Sequence, residues 1–182
     1  MRERKSGNDD TDLEMNEENE EMGSSVEVFE LLKADHRQVE ELFAQFADAD
    51  KRTRYSIANE ALNGLEVHSA LEEELVYPAI AEVLQEKELV NEAKEEHHVA
   101  KLLIKELRKM NAGDEGFATK FKVLGEIVKH HIEEEEGEMF TQAEEGGLET
   151  DELSQDVVKR KEKLMQKYEG SKKASHRRKK AA

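Results

Sequence analysis

The sequence reads HSALE at residues 68–72 and HIEEE at residues 131–135. In both stretches a histidine precedes a glutamate by four residues, and an aromatic residue, Tyr77 or Phe140, follows that glutamate five residues later. Residues four apart on an α-helix lie on the same face, one turn from each other. Each stretch can therefore direct an imidazole nitrogen and a carboxylate towards one point, and two such helices can hold a metal centre between them.

A second pattern surrounds these stretches and indicates an internal duplication. An acidic residue precedes a histidine at Asp35-His36 and again at Glu96-His97, 61 residues later. Apolar residues fall at offsets 3, 6, 7 and 10 from His36 and at the same offsets from His97. This repeat predicts two helical hairpins that bring four ligand-bearing helices together.

The composition is that of a heavily charged helical protein. Charged residues make up 40% of the 182 residues and the net charge is −16, which is typical of disorder, but the apolar residues recur with helical spacing. The sequence contains no cysteine, which excludes disulfides, thiolate zinc sites and Cys-ligated iron–sulfur clusters. Any bound metal must therefore use imidazole and carboxylate ligands.

Charge and hydropathy also restrict the partners. No apolar run approaches the ~20 residues of a membrane span and the N-terminus shows no secretion signal, so we expect a cytoplasmic protein without a membrane partner. The acidic surface argues against nucleic-acid binding by the bundle. Residues 171–182 carry six basic and no acidic side chains. This tail can contact nucleic acid, anionic lipid or the acidic domain, although a solvated tail is the simpler prediction.

The apolar periodicity divides the chain into one domain and its flanking segments. Residues 1–23 are acidic and aperiodic and are predicted to be disordered. Residues 26–145 are predicted to form an all-α, up-down four-helix bundle, in which Pro78 bends the second helix. An accessory helix is predicted over residues 149–169, followed by a disordered basic tail over residues 170–182. The helices of the bundle are predicted at residues 26–48, 54–83, 88–110 and 117–145.

Six polar residues lie on the apolar stripes of these helices, four of them histidines and two of them glutamates. Burying each without a partner costs roughly 1–3 kcal/mol. A metal pair gives all six a common explanation, because lone pairs bind the cations and the cationic charge offsets the two carboxylates. The candidate metal ligands are His36, His68, Glu72, His97, His131 and Glu135.

Neighbouring residues offer alternatives to these ligands. His98 follows His97, but its own helix face is polar, so it is predicted to point outward. Glu136 is the alternative to Glu135, which alone keeps the register of the first motif. A ferritin-like site requires Glu-x-x-His on two helices, and here only Glu95 and His98 have that spacing. The sequence therefore argues against a ferritin-like site.

With these residues placed, the chain resembles the bacterial hemerythrin-like family, also called HHE cation-binding domains. The resemblance covers about residues 26–145 and implies a non-haem diiron centre between the helices, bridged by carboxylates and by an oxo or hydroxo group. It implies that the four histidines are terminal ligands and that Glu72 and Glu135 are the bridging carboxylates. The strings that carry it are Asp35-His36, His68-x-x-x-Glu72 through Tyr77-Pro78, Glu96-His97, and His131-x-x-x-Glu135 through Phe140.

One position departs from the oxygen-carrying members of that family. They place two histidines four apart on the third helix, whereas here Lys101 follows His97 at that spacing. The incomplete histidine set argues against reversible oxygen carriage. It implies that one iron has an open or carboxylate-filled position, for which Glu73 is a candidate.

The resulting hypothesis is a non-haem diiron protein that binds dioxygen, peroxide or nitric oxide for sensing, scavenging, or iron and redox handling. Two alternatives remain. The first is an enzyme, a diiron oxidoreductase that decomposes peroxide. The second is a metal-free acidic bundle whose basic tail recruits a partner. The sequence does not indicate an oligomeric state.

Overall fold

The computed structural model describes residues 27–84 and 87–180, with side chains placed up to Tyr168. Four helical rods form the bundle, which confirms the predicted all-α, up-down architecture. Two π-helical segments, Glu72–Val76 and Glu135–Met139, continue the second and fourth rods. The helices are α1 (Val28–Asp48), α2 (Lys51–Leu71), α3 (Tyr77–Val83), α4 (Glu88–Leu107), α5 (Phe117–Glu134), α6 (Phe140–Glu145) and α7 (Asp151–Lys180).

Local capping signals set the helix boundaries. The Asp50 side chain accepts hydrogen bonds from the backbone N–H groups of Arg52 and Thr53, both at 2.9 Å. Because of this cap, α2 starts at Lys51, three residues before the start predicted from the sequence at residue 54. α5 begins after Gly116, whose φ of 85° is a left-handed conformation that glycine adopts without strain.

The glutamate of each His-x-x-x-Glu motif begins a π-helical segment. The N–H of Tyr77 donates to the carbonyl of Glu72, and the N–H of Phe140 donates to that of Glu135, five residues back in each case. The sequence predicts a bend at Pro78, but the second segment forms without a proline, so proline is not the cause of the shared geometry. Single π turns redirect side chains within a helix and are frequent at functional sites.

Two apolar clusters fill the bundle, one towards each end. The first surrounds Phe29, Tyr77 and Phe140, and the second surrounds Phe46 and Phe121. Burying a large apolar side chain stabilises a fold by about 1.5–3 kcal/mol, so these clusters hold the rods at a defined separation. Between the two clusters, each rod carries a buried histidine in its otherwise apolar inner face.

α7 packs outside the bundle against α2 and the first π segment. Its Val157 is buried, and Arg160 donates hydrogen bonds to both carboxylate oxygens of Glu74, at 2.7 and 2.9 Å. Lys161 donates to Asp35 at 2.5 Å. These contacts attach α7 to the α1–α2 hairpin.

The last helix, α7, extends from Asp151 to Lys180. The segment 1–23 lies outside the described residues. Among the residues that are described, no helix is long and apolar enough to cross a membrane.

Two helix-interior glycines allow a matched test of packing. No atom lies within 4 Å of the position that a Cβ would take at Gly64, whereas at Gly125 a Cβ would lie 2.9 Å from Cδ1 of Phe43. We expect Gly64→Ala to raise the free energy of unfolding by roughly 0.5–1 kcal/mol, because glycine in a helix carries an entropy cost. We expect Gly125→Ala to raise the free energy of unfolding by less, or to lower it, because the new Cβ would lie too close to Phe43. Denaturant unfolding measures both changes, and equal gains would contradict the packing at Gly125.

Candidate metal centre

Four histidines, one from each rod, meet in a polar layer between the apolar clusters. His36 and His68 place their Nε2 atoms 2.9 Å apart, and His97 and His131 place theirs 3.0 Å apart. None of the four is more than 7% exposed. The imidazoles therefore form two close pairs, each within one half of the internal repeat.

The two buried glutamates lie between these pairs. Oε1 of Glu72 is 3.0 Å from Nε2 of His68, and its Oε2 is 3.3 Å from Nε2 of His97. Oε2 of Glu135 is 3.4 Å from the Nε2 atoms of each of the other two histidines. Each carboxylate thus spans the two halves. The structure brings all six predicted residues together, in two groups that share Glu72 and could each hold a metal ion.

A carboxylate contacts the outer nitrogen, Nδ1, of every histidine in the layer. In His36, His97 and His131 the Nδ1–H donates to that carboxylate, which leaves the Nε2 lone pair facing the centre and fixes the orientation of the ring, whereas Nδ1 of His68 has no hydrogen-bond partner among the described residues. The contacts are His36 with Glu136 at 2.7 Å, His68 with Asp35 at 3.6 Å, His97 with Glu73 at 3.0 Å, and His131 with Glu96 at 2.8 Å.

These contacts make the centre a site for positive charge. Nε2 lone pairs that face each other at 2.9 and 3.0 Å repel unless a cation or proton lies between them. Both oxygens of Glu72 and Oε2 of Glu135 are buried without a hydrogen-bond partner among the described residues, because the nearby Nε2 atoms lie off the hydrogen-bonding directions. Orphaned carboxylate oxygens beside converging imidazoles fit a bound metal pair.

The pKa values of His68 and Glu72 also indicate that the centre favours positive charge. Burial lowers the pKa of His68, but the carboxylates of Glu72, Asp35 and Glu135 together more than reverse this and raise it to about 10. Burial raises the pKa of Glu72, but the neighbouring imidazoles of His68 and His97 bring it well below its usual range. The buried Glu72 carboxylate therefore stays ionised and attracts cationic partners.

The family model for the hemerythrin HHE cation-binding domain matches residues 27–143. The chain belongs to this family. Its fold is that of a crystal structure of a hemerythrin HHE cation-binding domain-containing protein from Mycobacterium kansasii, with a TM-score of 0.66 and 24% sequence identity, over 76% of this chain and 87% of that one. A comparison with curated proteins finds no significant match.

The two halves of this hemerythrin-like domain differ at one aromatic position. The Tyr77 hydroxyl donates to Oε1 of Glu135 at 2.7 Å and lies 3.3 Å from Nε2 of His97. The equivalent residue, Phe140, has no hydroxyl and stacks on Phe29 at a ring distance of 4.4 Å. In the sequence Tyr77 marks the repeat, but its spacing alone does not indicate this contact with Glu135.

The alternatives to the predicted ligands lie outside the centre of the HHE domain. Glu136 contacts the outer nitrogen of His36 and is 23% exposed, so it supports that histidine rather than facing the other donors. His98 is exposed on α4. His130, which the periodicity places off the main stripe, is 62% exposed and lies 3.3 Å from Glu134.

The sequence patterns contain all four outer carboxylates but do not predict their contacts with the histidines, since Glu73 and Glu136 are considered there only as possible metal ligands. The acidic residue of each acidic-His pair, Asp35 or Glu96, contacts the next histidine of its own half. The residue after each motif glutamate, Glu73 or Glu136, contacts a histidine of the other half. The position four residues after His97 is not free to bind metal, since Lys101 donates to both oxygens of Glu73 at 2.5 Å.

Proposed function

We propose that this domain binds a non-haem diiron centre and, through it, dioxygen or a related small oxidant such as peroxide or nitric oxide. The observation that carries the proposal is the convergence of four Nε2 atoms on two buried carboxylates whose inner oxygens lack hydrogen bonds within the described residues. Sensing or scavenging of the oxidant, or iron and redox handling, are the roles that such a site supports.

The donor set suits iron and distributes it over two positions. Imidazole and carboxylate ligands accommodate Fe, Mn or Zn by their hardness, and the family likeness favours iron. His36 and His68 would hold one ion and His97 and His131 the other, with Glu72 shared between them. Bound iron would supply the oxygen and one-electron chemistry that side chains lack.

The remaining residues of the site orient the ligands. Hydrogen bonds from outer carboxylates fix the ring planes of His36, His97 and His131, and the Tyr77 hydroxyl fixes the Glu135 carboxylate at 2.7 Å. Such supporting contacts typically change metal affinity by roughly 10–100-fold. Because residue 101 is a lysine, which here binds Glu73, α4 has no histidine four residues after His97 to complete the set of an oxygen carrier. This difference favours oxidant binding or turnover over reversible oxygen transport.

Adjacent histidines of α4 provide the decisive test. We expect His97→Ala to lose most of the bound iron and the optical absorption of an oxo-bridged centre, whereas His98→Ala keeps both, because His97 is buried in the centre and His98 is exposed. Elemental analysis and the optical spectrum of aerobically purified protein measure the effect.

An unchanged iron content in His97→Ala would remove the metal assignment. Wild-type protein with little metal, folded and stable, would favour the metal-free interaction protein instead. Peroxide turnover in proportion to iron content would select the oxidoreductase.

A further inference from the structure

A cavity of about 280 Å³ opens from the histidine layer into the half of the bundle that contains Phe46 and Phe121. The four histidines close one end of it. Apolar side chains from α1, α2, α4 and α5 form most of its remaining surface, and polar residues such as Gln38, Glu60 and Asn63 form the rest. The apolar residues that line it include Val39, Leu42, Leu65, Ala100, Ile104 and Val128.

The volume is larger than a small oxidant needs. An apolar protein cavity of about 150 Å³ holds a benzene molecule, and one water molecule takes about 30 Å³ of liquid volume. A diatomic ligand is of the order of one water molecule in size, so it would leave most of the 280 Å³ empty. Large unfilled apolar space costs packing energy, which is a reason to expect an occupant.

The cavity reaches the surface between α2 and α7. Gly64 lines it on α2, where the absence of a side chain leaves open space, and Met165 and Tyr168 line it on α7. The Tyr168 hydroxyl donates to Glu66 at 3.0 Å, which holds this wall against α2. The accessory helix therefore forms the outer wall of the cavity and borders its mouth.

The lysines that line the cavity already have acidic partners. Lys161 donates to Asp35 at 2.5 Å, and Lys101 donates to Glu73 at the same distance. A charged ligand would have to compete with these ion pairs or enter apolar space without compensation, which is costly. The lining thus offers no free lysine to an anionic ligand.

We propose that this cavity binds a small, uncharged, apolar organic molecule of one or two rings, which enters beside Gly64 and lies against the histidine layer. This gives the site a second ligand class besides the small oxidant. The proposal rests on the proposed function only in placing this ligand beside a metal centre, because binding in the cavity itself requires no metal.

Indole is a suitable probe, since it is uncharged and has two rings, and its fluorescence can be followed in a chain without tryptophan. We expect the full-length protein to bind one indole, measured by calorimetry and fluorescence on samples of known metal content. Gly64→Phe, which obstructs the mouth, and Ala100→Leu, which fills the interior, should each weaken binding roughly tenfold or more. Gly64→Ala leaves the mouth open and should bind as the wild type does.

Indole-3-acetate, the anionic analogue, is expected to bind at least about tenfold more weakly than indole. The proposal is overturned if the wild type fails to bind indole, if Gly64→Phe and Ala100→Leu, both folded, bind it unchanged, or if the anion binds equally well. Indole binding by protein from which the metal has been removed is also expected and supports the cavity proposal, whereas the diiron centre is tested separately by the iron content of the purified wild type.

Discussion

Replacing Glu72 by glutamine is expected to abolish binding of the metal pair while leaving the bundle folded. Both oxygens of Glu72 are buried without a hydrogen-bond partner among the described residues, and they lie 3.0 and 3.3 Å from the Nε2 atoms of His68 and His97. The substitution keeps the shape but removes the charge that offsets two cations. It also turns an amide N–H₂ group towards the centre, which repels a metal ion.

Glu74→Gln is the matched control for this substitution. Glu74 belongs to the same π segment but is exposed, and it binds Arg160 of α7. We expect this variant to keep its full metal content. Elemental analysis of the two purified variants, with circular dichroism to verify folding, makes the comparison. If folded Glu72→Gln retains as much metal as Glu74→Gln, then Glu72 does not bind it.

Removal of the metal is expected to lower the melting temperature by roughly 5–10 °C. A ligand present at 100 times its dissociation constant stabilises the native state by about 2.7 kcal/mol. In a protein of this size each kcal/mol shifts the melting temperature by about 2–4 °C. Calorimetry before and after chelation measures the shift, and return of the original value on adding iron is the control for damage.

The decrease in melting temperature caused by metal removal should be larger at higher pH. In the metal-free protein Glu72, Asp35 and Glu135 together outweigh burial and raise the pKa of His68 from its usual value to about 10, so its stabilising proton is fully present below about pH 6.5 and is lost as the pH rises towards 10. The metal-loaded protein requires the neutral imidazole and does not lose this contribution. We therefore expect a larger gap between the two melting temperatures at about pH 9 than at about pH 6. A gap that stays constant or narrows would contradict the electrostatic account of the centre.

The buried polar residues could be recognised without coordinates. His36 and His97 each lie at the same offsets from apolar neighbours, and His68 and His131 each precede a glutamate by one helical turn. Helical periodicity is a local property, so residues on an apolar stripe are buried whatever the partner helix. All four histidines are indeed buried in the structure. The helix limits were less accurate where a cap such as Asp50 outweighs polarity.

The supporting contacts could not be derived in the same way. Glu136 contacts His36 across 100 residues of sequence, and Tyr77 contacts Glu135 across 58. Which outer carboxylate meets which histidine depends on how the rods are rotated about their axes. The π segments change that rotation at Glu72 and Glu135, and periodicity does not reveal them.

Periodicity and spacing were thus sufficient for the four rods and for the six polar residues that face inward, because both follow from the geometry of a single helix. The folded bundle was required for the crossing contacts between the halves, for the role of Tyr77, and for the cavity of about 280 Å³ beside the histidines. These features depend on the separation and rotation of whole rods, which are set jointly by the apolar clusters at both ends and by α7 packed on α2.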